Sequence, residues 1–287
     1  MVCNCSAGGG RSAADVEKAF EGSGVAAHVV ALEGGDPAEA AREALKSKPA
    51  VVVAAGGDGT ISAVAGVLRG SGTALGILPL GTLNHFAKDL RIPLDAAQAA
   101  RTIARGRRIA VDVGEVNGRV FINNASLGLY PNIVRERARQ QRRLGRSKRM
   151  AMLWATLEAF HRSRLLDVRL ELEGRVHEFR APFLFVGNND YILEGFDIGS
   201  RVRLDGGVLN VYATRATSAA RLFGLALRAL FGRLRQAEDF VEASARSLRV
   251  ASRRRRRLLV AIDGEPNVLD SPLEFSIRPR ALQVIVP

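Results

Sequence analysis

Ala50-Val51-Val52-Val53-Ala54-Ala55-Gly56-Gly57-Asp58-Gly59-Thr60 is the stretch from which the fold class follows. A short apolar run rich in β-branched residues stops at glycines, an aspartate and a threonine. That pattern predicts a buried strand entering a tight turn, with a helix beginning near Thr60. Glycines let the backbone approach a phosphate closely, and the N–H groups at a helix start favour an anion. Asp58 puts a carboxylate where phosphate oxygens and a divalent cation would meet. The segment points to nucleotide chemistry.

The flanking sequence continues the alternation. Residues 25–32, 50–55 and 74–78 read as strands, and residues 37–48, 60–68, 84–90 and 95–105 as helices, with Asp36 as an N-cap. A βαβα order implies a parallel sheet covered on both faces, with ligands beyond the carboxyl ends of its strands. A second turn, Pro79-Leu80-Gly81-Thr82, falls at that same edge. Past residue 107 short strands dominate: 109–117, 119–124, 166–173, 176–186, 208–213, 240–251, 258–262, 273–278 and 281–286. Gly118 and Gly174 suit hairpin turns. Two helical insertions, 131–164 and 218–234, interrupt them. The expectation is an α/β nucleotide-binding domain over residues 1–106 and an antiparallel β-sandwich over 107–287.

The 287 residues are 47% hydrophobic but only 6% aromatic, so the core must be built mainly from Val, Leu, Ile and Ala. Lys+Arg 42 against Asp+Glu 29 gives a net charge of +13, which favours anionic partners without choosing among them. Cys3 and Cys5 are spaced too closely for an ordinary disulfide and are too few for zinc, so buried or idle thiols in a reducing compartment are expected. The first residues lack a basic and an apolar signal region, and no apolar run approaches the roughly 20 residues that span a bilayer. The P-loop pattern and Gly-x-Gly-x-x-Gly are both absent, which excludes a Walker-type ATPase and a standard dinucleotide fingerprint.

Gly-Gly-Asp-Gly-Thr at 56–60, followed by Pro79-Leu80-Gly81-Thr82-Leu83-Asn84-His85-Phe86-Ala87, resembles the diacylglycerol kinase catalytic domain family, which includes bacterial lipid kinases and the sphingosine and ceramide kinases. Asn4-Cys5-Ser6-Ala7-Gly8-Gly9-Gly10 is similar to the opening of that family. Ser126-Leu127-Gly128-Leu129-Tyr130, Leu204-Asp205-Gly206-Gly207-Val208-Leu209 and Ile262-Asp263-Gly264-Glu265 match later blocks in order. The resemblance implies an ATP site between the domains, lined by Asn4, Gly56, Gly57, Asp58, Gly59, Thr60 and Thr82. It implies that Asp58 acts at the phosphoryl end, through Mg²⁺ or on the acceptor proton. Glu265 stands where the family carries its proposed general base. Asp205, with the carbonyls of Val202 and Gly207, corresponds to a structural magnesium site of bacterial members. Cys5 departs from the family's proline and His85 from its more usual aspartate. Taken without the resemblance, Asp263-Gly264-Glu265 also reads as a solvent-exposed hairpin turn.

Arg135, Arg137, Arg139, Arg142, Arg143, Arg146, Lys148 and Arg149 crowd one segment ahead of apolar residues 150–160. A basic helix of that kind can lie on an anionic membrane, each charge contributing about 1 kcal/mol. A solvated face over core residues is the plain alternative. Five arginines, Arg253 to Arg257, suit a hairpin tip or an exposed edge. Together these features predict an ATP- and Mg²⁺-dependent kinase acting on a hydroxyl of a diacylglycerol-like or related lipid. The expected location is cytoplasmic, peripheral on the inner face of the membrane. The oligomeric state is left open, a homodimer included. NAD kinase shares Gly-Gly-Asp-Gly-Thr and is the nearest rival, but the Pro-Leu-Gly-Thr-x-Asn block and the late Asp-Gly-Glu favour the lipid kinase. A non-catalytic nucleotide- or lipid-sensing module is disfavoured by the presence of both Asp58 and Glu265. No specific nucleic-acid partner is expected, because aromatic content is low and no reading module is recognisable.

Overall fold

The structure is a computed structural model describing residues 1–4, 13–21, 24, 28–32, 34–128, 165–192, 199–215 and 239–287. The chain forms two compact units, Met1–Val113 with Arg278–Pro287, and Gly114–Ile277. This differs from a division at residue 106/107, because the C-terminal residues return to the first unit. Pairing between distant parts of the chain leaves no local signature.

In the first unit the elements are β1 (Val2–Cys3), α1 (Ala13–Phe20), β2 (Val30–Ala31), α2 (Pro37–Lys46), β3 (Val51–Gly56), α3 (Asp58–Leu68), β4 (Ala74–Pro79), α4 (His85–Asp89) and α5 (Ala96–Arg105). β5 (Arg107–Val116) leads into the second unit. The parallel sheet runs β2-β1-β3-β4, and Val284 of the final strand pairs in parallel with Leu75 of β4. β4 is buried throughout and β3 at all but its first residue, as continuous apolar runs in a doubly covered sheet should be. Asp36 caps α2 by accepting from the Ala38 N–H at 2.9 Å, and Asp95 caps α5 by accepting from the Gln98 N–H at 3.0 Å. α3 begins at Asp58, ahead of the expected Thr60, so the aspartate sits in the first helical turn. Of the strand expected over 25–32, only Val30–Ala31 is present among the described residues. Cys3 is fully buried and stands in a disulfide, which overturns the idle-thiol expectation at that position. Cysteine usage therefore gives no ground for placing the chain in a reducing compartment.

The second unit continues with β6 (Arg119–Phe121), β7 (Asn124–Gly128), β8 (Leu166–Leu172), β9 (Arg175–Ala181), β10 (Phe183–Asn188), β11 (Leu209–Thr214), β12 (Phe240–Ala245), β13 (Ser247–Ser252), β14 (Arg257–Ile262), β15 (Glu265–Asp270) and β16 (Leu273–Val286). One antiparallel layer contains β16-β13-β8-β9 and the other β12-β11-β10-β7-β14-β15. Their inner faces form a core with Phe121, Leu127, Leu184, Leu209, Val260 and Phe275. The Phe121 and Phe275 rings meet edge to face with their centroids 6.4 Å apart. The parallel α/β domain and the antiparallel sandwich expected from the sequence are both present.

Several expected strands divide differently. Residues 176–186 form two strands, β9 in one sheet and β10 in the other, with Pro182 between them. Proline lacks the N–H that a central ladder needs, so the chain changes sheets there. Residues 240–251 divide likewise into β12 and β13 around Arg246. The two strands expected over 273–278 and 281–286 are one, β16, with Arg280 at φ +51° donating its N–H to the Asp112 carboxylate at 2.8 Å. β15 was not foreseen. The helical insertions expected at 131–164 and 218–234, and with them the Arg135–Arg149 cluster, lie outside the described residues. None of the described helices is long and apolar enough to cross a membrane. Replacing the fully buried Phe121 by alanine should lower stability by about 3–5 kcal/mol, read as a shifted midpoint in chemical denaturation.

Candidate active site

In the first unit, β3 and β4 end side by side, with Gly56 paired to Pro79. The loop after each strand turns outward at the same edge. At Gly81 a Cβ would lie 2.6 Å from the Gly57 Cα and 2.8 Å from Asn84 Oδ1, so only glycine fits. The requirement is close approach, since neither Gly57 nor Gly81 has a positive φ. The Leu80 N–H donates to the Gly56 carbonyl at 2.9 Å and joins the two loops. Asn84 then closes the second loop on itself. Its Oδ1 accepts from the Gly81 N–H at 3.1 Å and its Nδ2 donates to the Gly81 carbonyl at 2.9 Å, with its own backbone held at φ +51°. Thr82 is left exposed at the tip.

Asp58 occupies the first turn of α3 beneath the Gly57 cap, and its carboxylate lies 3.5 Å from the Phe86 N–H at the start of α4. Thr60 is only 5% exposed. Its hydroxyl accepts from Asn4 Nδ2 at 3.3 Å, while the Asn4 N–H donates to the Ala55 carbonyl at 2.9 Å. Gly56 must also be glycine, because a Cβ there would meet the Thr60 side chain at 2.7 Å. Asn4, Gly56, Gly57, Asp58, Thr60 and Thr82 therefore gather at one edge of the sheet. Thr60 there ties Asn4 to α3. The half-buried turn of Gly57 to Gly59, with a carboxylate in a helical first turn, suits a phosphate chain that carries a cation. Asn84 was given no role from the sequence. Its signal was an amide three residues after a glycine that has to be locked.

Glu265 lies in the second unit, in the hairpin joining β14 to β15, where Ile262 pairs with Glu265. The turn between them is Asp263 at φ +45° and Gly264 at φ +86°, the two-residue form that matches strand twist. A hairpin turn is thus what the structure contains, but Asp263 is not spent on solvent. Its Oδ2 accepts from the Ile122 N–H at 2.8 Å, and its Oδ1 accepts from the Asn123 and Asn124 N–H groups at 2.8 and 3.0 Å. Glu265 is exposed, and among the described residues its carboxylate makes no hydrogen bond or ion pair. A free carboxylate on a fixed turn can accept a proton from an approaching hydroxyl.

Asp205 lies on the loop ahead of β11. Arg203 Nε donates to its Oδ1 at 2.9 Å, and Gly207 follows at φ +70°. The Asp205 carboxylate and the backbone carbonyls of Val202 and Gly207, the residues implicated from the sequence, are oxygen donors of the kind a hard divalent cation takes. The Arg203 guanidinium competes for the same carboxylate. Among the described residues no group of three His, Cys, Asp or Glu side chains converges on a metal position. Gly206 is fixed by crowding, since a Cβ would approach Asn189 Oδ1 to 2.8 Å.

Two outcomes are expected here. Asn84→Ala leaves the Gly81 amide and carbonyl unpartnered and should cost about 1–3 kcal/mol, measured by thermal or chemical unfolding. Arg203→Ala removes an exposed competitor and should tighten Mn²⁺ binding to the isolated protein by about two- to five-fold in a titration, the size of a surface ion pair.

Residues 1–116 match the model of the diacylglycerol kinase catalytic domain, and residues 127–286 match that of the YegS C-terminal NAD kinase beta sandwich-like domain. A Pseudomonas aeruginosa protein named "Probable lipid kinase YegS-like" is 34% identical over 262 residues, covering 90% of this chain and 83% of that one. The "Diacylglycerol kinase" of Bacillus subtilis is 28% identical over 258 residues, covering 88% and 83%. A crystal structure of a Bacillus anthracis diacylglycerol kinase superposes with a TM-score of 0.72 at 20% identity, covering all of this chain and 95% of that one, which speaks for the fold. With both units matched and their motifs in the same order, the chain belongs to the diacylglycerol kinase family of lipid kinases, phosphotransferases whose acceptor is an alcohol.

Proposed function

We propose that the chain transfers the γ-phosphate of ATP to a hydroxyl of a diacylglycerol-like or related lipid at a membrane surface. The observation that carries this reading is the forced contact of two strand-exit loops at Gly57 and Gly81, with Asp58 in the adjoining helical turn. Phosphoryl transfer asks chiefly for positioning and charge neutralisation. The loop of Gly56 to Thr60 and the exposed Thr82 bind the phosphate chain, and Asn4 braces the first loop through Thr60. Asp58 would hold a magnesium ion that accompanies the triphosphate, which would neutralise the phosphate oxygens, and Asp205 with the carbonyls of Val202 and Gly207 would hold a second cation. Glu265 accepts the proton of the attacking hydroxyl, an aid worth about 10²–10⁴-fold in rate. Membrane contact is assigned to the Arg135–Arg149 segment, whose charge favours anionic lipids on the inner face.

The test is purified protein with labelled ATP, Mg²⁺ and a panel of lipid alcohols in mixed micelles. Labelled phospholipid is the expected product. Asp58→Asn and Glu265→Gln should each lower kcat by about 10²–10⁴-fold, with ATP binding retained in the Glu265 variant. Folded, ATP-binding protein that labels no lipid, or that makes NADP from NAD instead, overturns the proposal.

A further inference from the structure

We propose that Arg201 and Asp263 are positioning residues for Glu265, acting on opposite ends of the same peptide unit. The inference rests on reading Glu265 as the general base. Arg201 is 7% exposed, a costly place for a cation unless its donors are used. Its Nη1 donates to the Ile122 carbonyl at 2.6 Å, its Nη2 donates to Asn123 Oδ1 at 2.9 Å, and its guanidinium lies 5.7 Å from the centre of the Tyr191 ring. The carbonyl of Ile122 and the N–H of Asn123 belong to one peptide group. That N–H donates to Asp263 Oδ1 at 2.8 Å. A positive charge therefore sits at the oxygen end of the peptide dipole and a negative charge at its N–H end. Each polarises the bond the other makes, so the two hydrogen bonds strengthen one another in a low-dielectric interior.

The rest of the segment is held as tightly. Asn188 donates its Nδ2 to the Ile122 carbonyl at 2.9 Å and its backbone N–H to the Asn123 carbonyl at 2.9 Å. The Tyr191 hydroxyl donates to the Asn123 carbonyl at 3.0 Å. The Asp263 N–H returns to the Asn124 carbonyl at 2.9 Å. Residues 122–124 thus form a rigid strap whose amides fix the Asp263 carboxylate. Asp263 is the first residue of the two-residue turn that aims Glu265. Simple hairpin stability does not require this, since the Glu173-Gly174 turn adopts the same positive-φ pair while the Glu173 side chain makes no hydrogen bond among the described residues; the Asn117-Gly118 turn, by contrast, is also tied, through the Asn117 amide to residues 270–274.

Arg201→Lys keeps the charge but loses the planar fork, and Asp263→Asn keeps the shape but turns one acceptor into a donor facing amide donors. Both are compared with Glu265→Gln, alone and combined, by lipid phosphorylation kinetics, ATP titration and backbone amide exchange. Each positioning variant should lower kcat by about 10- to 100-fold while ATP affinity stays within about twofold. In the Glu265→Gln background neither should lower kcat by more than about twofold, because the group they aim is already gone. Amide exchange should rise at Asn123 and Asn124 and stay unchanged in β3. A Glu265→Gln protein of full activity removes the base assignment and the positioning claim with it. An impaired Glu265→Gln protein beside folded variants of normal kcat, or losses that multiply fully in the double variants, overturns the positioning claim alone. If Arg201→Lys fails to fold, Asp263→Asn decides by the same criteria.

Discussion

A side chain at Gly81 would collide with the main chain of Gly57, and a side chain at Gly56 would collide with Thr60. These exclusions let two neighbouring parallel strands end in loops that touch. Everything at that edge follows from the contact. Thr60 drops below the surface and ties down Asn4, Asn84 takes up the polar groups of Gly81, and Asp58 is left in the first turn of α3. Backbone N–H groups and a carboxylate are then presented without bulky side chains between them and a ligand. That is an arrangement suited to phosphate, whose oxygens need donors at close range.

The second unit meets a different demand. Its chemistry-bearing residue, Glu265, has no partner of its own among the described residues, so its direction must come from the backbone that carries it. A two-residue hairpin turn by itself permits some rocking. Here the turn is tied by three amide hydrogen bonds to Asp263, and the strap supplying them is held from its other side by Arg201, Asn188 and Tyr191. Buried polar clusters are stabilising only when their groups are satisfied. This one is nearly complete, with Asn189 Oδ1 lacking a hydrogen-bond partner close by. The asparagines that build it were given no role from the linear sequence, where Asn123 and Asn124 stood at the end of an expected strand.

Much of the architecture was legible because local patterns and tertiary roles agree. The apolar runs of β3 and β4 are buried strands, and Asp36 and Asp95 cap the helices that follow them. The misreadings share one cause. Residues 176–186 and 240–251 remain strand-like throughout, so composition cannot reveal that each changes sheets, at Pro182 and at Arg246. The break expected between residues 278 and 281 failed in the opposite sense: Arg280, at φ +51°, sits inside β16, and its N–H is taken up by Asp112 from far along the chain.

The sequence alone determined the family, the parallel and antiparallel halves, and the residue types that can handle a phosphate, because these depend on motifs and short-range periodicity. Only the tertiary structure decided that Gly57 and Gly81 touch and that the C-terminal strand closes the first sheet. It alone showed that Arg201 and Asp263 grip one peptide from its two ends. Each of those facts joins residues far apart in the chain, and chain separation is what a linear pattern cannot encode.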